Sequence, residues 1–219
     1  MITMPASKKT PSLLLTAAGI VLLASCGILP KREPTQLFEP SRPAMTTHAD
    51  WPQADWSLLV AKPAAGQLLD NDRIAVRPSP GAISVYKGAA WSDPAPELVQ
   101  TALLRSFEDS QKILSVSRPG AGVRGEYQLQ SDLRNFESIY DGTRPQAVVE
   151  LYAKLIHTAD GEVVAARVFR ETEPAAGVEV GSVVDAFSRA LERVTGQVTA
   201  WTLAEGNRRE RSAAPAGRG

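Results

Sequence analysis

From Val180 onward the chain repeats Val180, Val184, Phe187, Leu191, Val194, Val198 and Trp201 at spacings of four and three. On a helix of 3.6 residues per turn these positions fall on one stripe, so the carboxy-terminal part of the chain must bury one helical face. Each Leu- or Phe-sized side chain taken out of water contributes roughly 1.5–3 kcal/mol. The stripe is therefore a main source of core energy, and something apolar must receive it. Ser182, with Asp185 three residues on, resembles a weaker capping box at its start, and Gly196 is a tolerated weakness. Beyond Glu205 the apolar period is lost among Asn207, Arg208, Arg209 and Arg211, and residues 205–219 are expected to form a disordered tail.

The surface that receives the stripe is predicted to be a sheet. Alternation of apolar and polar residues marks strands at 56–60, 73–77 and 83–86, with Pro78-Ser79-Pro80-Gly81 as the turn between the last two. Tyr127, Leu129 and Leu133 alternate with Gln128, Gln130, Asp132 and Arg134, the pattern of a half-exposed strand. Strands at 147–157 and 162–171 follow, joined at Asp160-Gly161 in a two-residue hairpin turn that sets Leu155 against Ala166 and Ala153 against Val168. A short strand is expected at 113–116. One further helix is expected from Pro94 to Ser110, with Asp93 as cap and Val99, Leu103 and Phe107 on its buried face. The expected fold is thus α+β, a mixed and largely antiparallel sheet with two helices packed on one face, in a single domain over residues 56–204.

Ahead of that domain, Lys8 and Lys9 precede the apolar run Leu13–Leu23 and the small residues Ala24 and Ser25. A membrane-spanning helix needs about 20 apolar residues, so residues 1–25 have the form of a secretory signal. Cys26 follows at once and is the only cysteine in the chain. It has no disulfide partner within the chain, and a CxxC redox or metal site is excluded. Leu23-Ala24-Ser25-Cys26 resembles the bacterial lipobox, which implies cleavage before Cys26 and acylation of its thiol. Residues 26–55, with Pro30, Pro34, Pro40, Pro43 and Pro52, are expected to be a tether with a coil-like reach of about 30 Å. Within it, Gln36-Leu37-Phe38 could pair transiently or dock, although a plain linker is the simpler reading.

The chemistry available is limited. The formal charge is 24 minus 24, and removal of Lys8 and Lys9 with the signal leaves 22 minus 24, or −2. That balance gives no electrostatic footprint for nucleic acid. His48 and His157 are the only histidines, and no G-x-S-x-G elbow, P-loop or H-E-x-x-H helix accompanies them. His157 as a general base is the weakest of the functional candidates. Asp70 and Asp72 flank Asn71, but without the rest of a calcium loop they suit a polar turn. No enzyme, cofactor or metal site is expected.

Several stretches together resemble the ABC-type transport auxiliary lipoprotein family: Asp72-Arg73-Ile74-Ala75-Val76; Tyr86 with Trp91-Ser92-Asp93 and Pro96-Glu97-Leu98-Val99-Gln100; Tyr127, Leu129, Asp132-Leu133-Arg134 and Phe136; and Ala186-Phe187 through Trp201-Thr202-Leu203. The resemblance implies a periplasm-facing lipoprotein. Its partner would be an MCE-domain protein of the MlaD or PqiB kind, alongside an ABC permease and its ATPase, in a system that moves lipids or other hydrophobic compounds. It also implies an anchor on the periplasmic side of the outer membrane, carried by Cys26 and favoured by Gly27 after it. Homo-oligomerisation is left open. The partner-docking candidates are Tyr86 and Trp91, near the entry to the first helix; as core aromatics they would be the more ordinary case. The alternative function is a lipid carrier with its own apolar cavity.

Overall fold

The computed structural model describes residues 34–41 and 49–213. Nine strands form one open mixed sheet: β1 (Gln36–Phe38), β2 (Ala54–Val60), β3 (Ala64–Ala65), β4 (Arg73–Arg77), β5 (Ser84–Trp91), β6 (Ile113–Ser117), β7 (Tyr127–Asp141), β8 (Arg144–His157) and β9 (Val163–Pro174). Two helices, α1 (Ala95–Ser110) and α2 (Val180–Ala213), complete the α+β domain.

The 15-residue β7 organises the sheet. Along one edge it pairs antiparallel with β8, which pairs antiparallel with β9. Its other edge is shared out between three parallel partners: β2 at Tyr127–Leu129, β3 at Asp132–Leu133 and β4 at Glu137–Ile139. β6 extends the β2 wing, while β5 and then β1 extend the β4 wing. The sheet therefore has two ends. One carries the β7–β8 turn at Gly142-Thr143 and the β4–β5 turn; the other carries the β8–β9 turn around Gly161 and the start of β2.

A bulge between Leu133 and Asn135 inserts one residue into β7. It switches the inward set from Tyr127, Leu129 and Leu133 to Phe136 and Ser138, so both halves of this long strand keep a buried face. The α2 stripe packs on β8 and β9, where Phe169 meets Trp201 at 5.4 Å between ring centroids. α1 packs on β2, β6 and α2 through Val99, Leu103 and Phe107, all buried as the spacing predicts.

Several local expectations are corrected. The β8–β9 register is Leu155 to Ala165 and Ala153 to Arg167, one residue away from the expected pairing: the connection sets Ile156 opposite Val163, two residues away, and the bulge between Leu155 and Ile156 takes one of them back. The connection is also longer than two residues: β8 ends at His157 and β9 begins at Val163, with Gly161 at φ 72°. Asp93 does not cap α1; Pro94 is the N-cap, with no side-chain hydrogen bond, and Pro96 occupies the first turn, where its missing N–H costs nothing. Ser182 lies inside α2, so it is not a capping residue. α2 itself runs on to Ala213, past the point where a disordered tail is expected. Gln36–Phe38, within the expected tether, is a strand.

Candidate functional site

The two docking candidates lie in different surroundings. Trp91 ends β5 and is 1% exposed, with Phe187 at 5.2 Å and Phe136 at 5.4 Å between ring centroids. It is a core residue and has no surface to offer a partner. Its indole N–H has no hydrogen-bond acceptor in this pocket, an apolar site shaped for the ring's area. Tyr86 is half-buried, its hydroxyl 3.1 Å from the buried Ser138 Oγ. Burial pushes its phenol up to about 12, with a Tyr140 hydrogen bond adding to the rise and the Ser138 bond opposing it. Asn71 organises a turn, as its polar neighbours suggest: its side-chain amide donates to the carbonyls of Gln67 and Leu68, and its Oδ1 accepts from the Arg73 N–H at 2.8 Å.

His157 ends β8 with Nδ1 3.0 Å from Asp160 Oδ1 and 3.3 Å from an Arg209 guanidinium nitrogen. Arg209 also reaches Asp160 Oδ2 and Glu162 Oε2, each at 2.6 Å. Asp160 is held below the usual carboxylate range, first by the Glu162 backbone N–H and then by His157. Among the described residues, no nucleophile is hydrogen-bonded to His157 in this cluster. Its geometry ties the last turns of α2 to the β8–β9 turn.

The same turns hold two further elements. Trp56 Nε1–H donates to Asn207 Oδ1 at 2.8 Å, and Asn207 Nδ2 donates to the Gln53 carbonyl at 2.7 Å. The Tyr127 hydroxyl donates to Glu210 Oε1 at 2.5 Å, while its ring lies 4.7 Å from that of Trp56. Burial, then Glu210, pushes the Tyr127 phenol well above its ordinary value. Gly206 makes the approach fit, since a Cβ there would lie within 3.0 Å of three Trp56 ring atoms. Farther along α2, Arg189 and Arg193 pair with Glu171 and Glu173 on β9, and Gln197 donates to Glu171. Arg189, then Arg193, holds Glu173 below the usual range.

At the opposite edge of the sheet, β1 runs parallel to β5 with Gln36 opposite Ala89 and Phe38 opposite Trp91. The Phe38 carbonyl accepts the Ser92 N–H at 2.8 Å, its ring packs against the core, and the Ser41 N–H reaches Ser188 Oγ on α2 at 2.9 Å. These residues strap the amino-terminal segment to the domain. Cys26 and the signal segment lie outside the described residues.

A groove of about 160 Å³ opens between the β2–β3 connection and the outer side of β7 and β8, lined by Lys62, Gln130, Asp132 and Lys154 among others. Among the described residues, no group of three or more His, Cys, Asp or Glu side chains is placed to hold a metal ion, and no helix is long and apolar enough to cross a membrane.

An open nine-stranded mixed sheet with two helices, several polar side chains of which tie strands to helices, defines a single domain of α+β class. The chain belongs to the family of ABC-type transport auxiliary lipoprotein components, whose model matches residues 37–199. The structure is similar to that of XCC0632 from Xanthomonas campestris, 41% identical, with a TM-score of 0.77 over 81% of this chain and 99% of that one. A second solved structure, of an uncharacterized protein, shares the fold at 14% identity, with a TM-score of 0.60 over 76% of this chain and 97% of that one. An uncharacterized protein of Bradyrhizobium diazoefficiens is 30% identical over 150 residues, which are 67% of this chain and 39% of that protein's length. The family is one of transport-associated lipoproteins of the cell envelope.

Proposed function

We propose that the protein is an acylated adaptor that holds an MCE-domain conduit of the MlaD or PqiB kind at the membrane, within a system energised by an ABC permease and ATPase. The observation that carries the reading is the combination of a family match over residues 37–199 with a lone cysteine directly after a signal-like segment. Acyl chains contribute about 0.8 kcal/mol per buried CH2, so a multiply acylated Cys26 is a firm anchor. The folded unit then works by position, without catalysis, on the periplasmic side of the outer membrane.

The carrier alternative finds no support in the groove beside β7. At about 160 Å³ it is smaller than the roughly 300–1,000 Å³ of ordinary ligand sites, and charged side chains line it. Cells fed radiolabelled palmitate should mark the wild-type protein and not Cys26→Ser, and the MCE protein should co-purify with the wild type from solubilised envelopes. An unlabelled wild-type chain, or capture of no MCE protein, would sink the proposal.

A further inference from the structure

A lipid on Cys26 would hold the domain through whatever stretch of chain is free between that residue and the first fixed strand. If the first fixed strand were β2, the attachment point would be Ala54, at the Gly161 end of the sheet beside the β8–β9 turn. The strap moves that point. β1 lies parallel to β5, and β5 runs antiparallel to β4, which is parallel to β7. The chain therefore enters β1 from the opposite side, where the β4–β5 turn and Gly142-Thr143 lie.

Following the strand registers, Gln36 lies near the level of Phe136, whereas Ala54 lies about four residues before the level of Tyr127. At about 3.3 Å per residue the two attachment points are on the order of 40 Å apart along the strands. Only ten residue steps separate Cys26 from Gln36. Fully extended they reach about 35 Å, and as a coil about 17 Å. That reach is shorter than the sheet is long, and its point of attachment lies toward one end.

We infer, on the basis of the lipid anchor proposed above, that the β1 strap sets which end of the domain faces the bilayer: the Gly142 end lies next to the lipid surface, and the Gly161 end, with the carboxy-terminal turns of α2, points away. β1 is held by backbone pairing to β5, by the Phe38 ring on the core and by the link from Ser41 to Ser188. The strap thereby fixes the point at which an anchor on Cys26 would pull on the domain.

The test uses the acylated full-length protein reconstituted into phosphatidylcholine vesicles that carry a surface energy acceptor. Because Cys26 is the only native cysteine and its thiol is consumed by the lipid, one introduced cysteine takes one donor dye. Thr143→Cys reports on the Gly142 end and Ala159→Cys on the Gly161 end, sites separated by the length of β8, about 45 Å. Given the short reach of the leash, transfer from position 143 should exceed that from 159 by about two-fold or more. Replacing Gln36-Leu37-Phe38 with Gly-Ser-Gly should bring the ratio to one or reverse it. Equal or greater transfer from 159 with the strap intact overturns the inference, as does a ratio unchanged by the replacement. The strap-intact comparison decides the matter by itself should the replaced variant misfold. Failure of the anchor looks different: two dyes per chain and no flotation with vesicles.

Discussion

At the residue scale, Trp91 separates packing from docking. Trp91→Ala should cost about 3–5 kcal/mol, seen in urea denaturation, through loss of its contacts with Phe136 and Phe187. Trp91→Phe should stay within about 1.5 kcal/mol of the parent, because it removes a buried N–H that has no acceptor. A docking role would give the reverse, lost partner capture with stability intact. Tyr86 supplies a pH signature. An unfolded tyrosine ionises near 10, whereas Tyr86 keeps its proton up to about 12. Between those values the unfolded chain gives up a proton that the native state retains. Stability is therefore intact below about pH 10 and declines as pH rises toward 12. In a tyrosinate absorbance titration of the folded protein, Tyr86→Phe should remove a transition near 12.

At the scale of elements, the end of α2 carries a stronger expectation than its composition suggests. Ending the chain after Ala204 would strip Trp56 of its Asn207 partner and Tyr127 of Glu210, and the thermal midpoint should fall by several degrees, as a loss of about 1–3 kcal/mol in a domain of this size would give. Gly206→Ala should cost about 1–3 kcal/mol by overpacking against Trp56, with a shift in tryptophan emission. Both helices, the first half of β7 and most of β8 and β9 were legible in the sequence from their local patterns; β7 beyond its bulge, where the inward set passes from Leu133 to Phe136, was not read as a strand. What could not be read has a common cause. β1 and β3 have three and two residues, too few to show a period. The last turns of α2 are held by Asn207, Arg209 and Glu210 instead of an apolar stripe, so their polarity imitates a tail, and Gly206-Asn207 reads locally as a helix stop. The register of β8 with β9 depends on a bulge that leaves no mark in composition. Trp91 as a core residue was foreseen as the ordinary case, whereas its place opposite Phe38 in β1 depends on a pairing invisible to local pattern.

For the whole molecule, the side-chain contacts from Trp56 to Asn207 and from Tyr127 to Glu210 join the two ends of the fold across 151 and 83 residues of chain. A polypeptide threaded through a translocation pore amino end first releases Trp56 long before Asn207 emerges. Until then Trp56 and Tyr127 lack their Asn207 and Glu210 partners, so the domain reaches its full stability only when nearly the last residues have crossed. In the acylated adaptor proposed above, signal cleavage and attachment of the acyl chains would need only the first few dozen. On that proposal, maturation at the amino terminus would be finished on a chain that is still unfolded, and a truncation near the carboxy terminus would leave a processed product whose domain opens more readily to proteases.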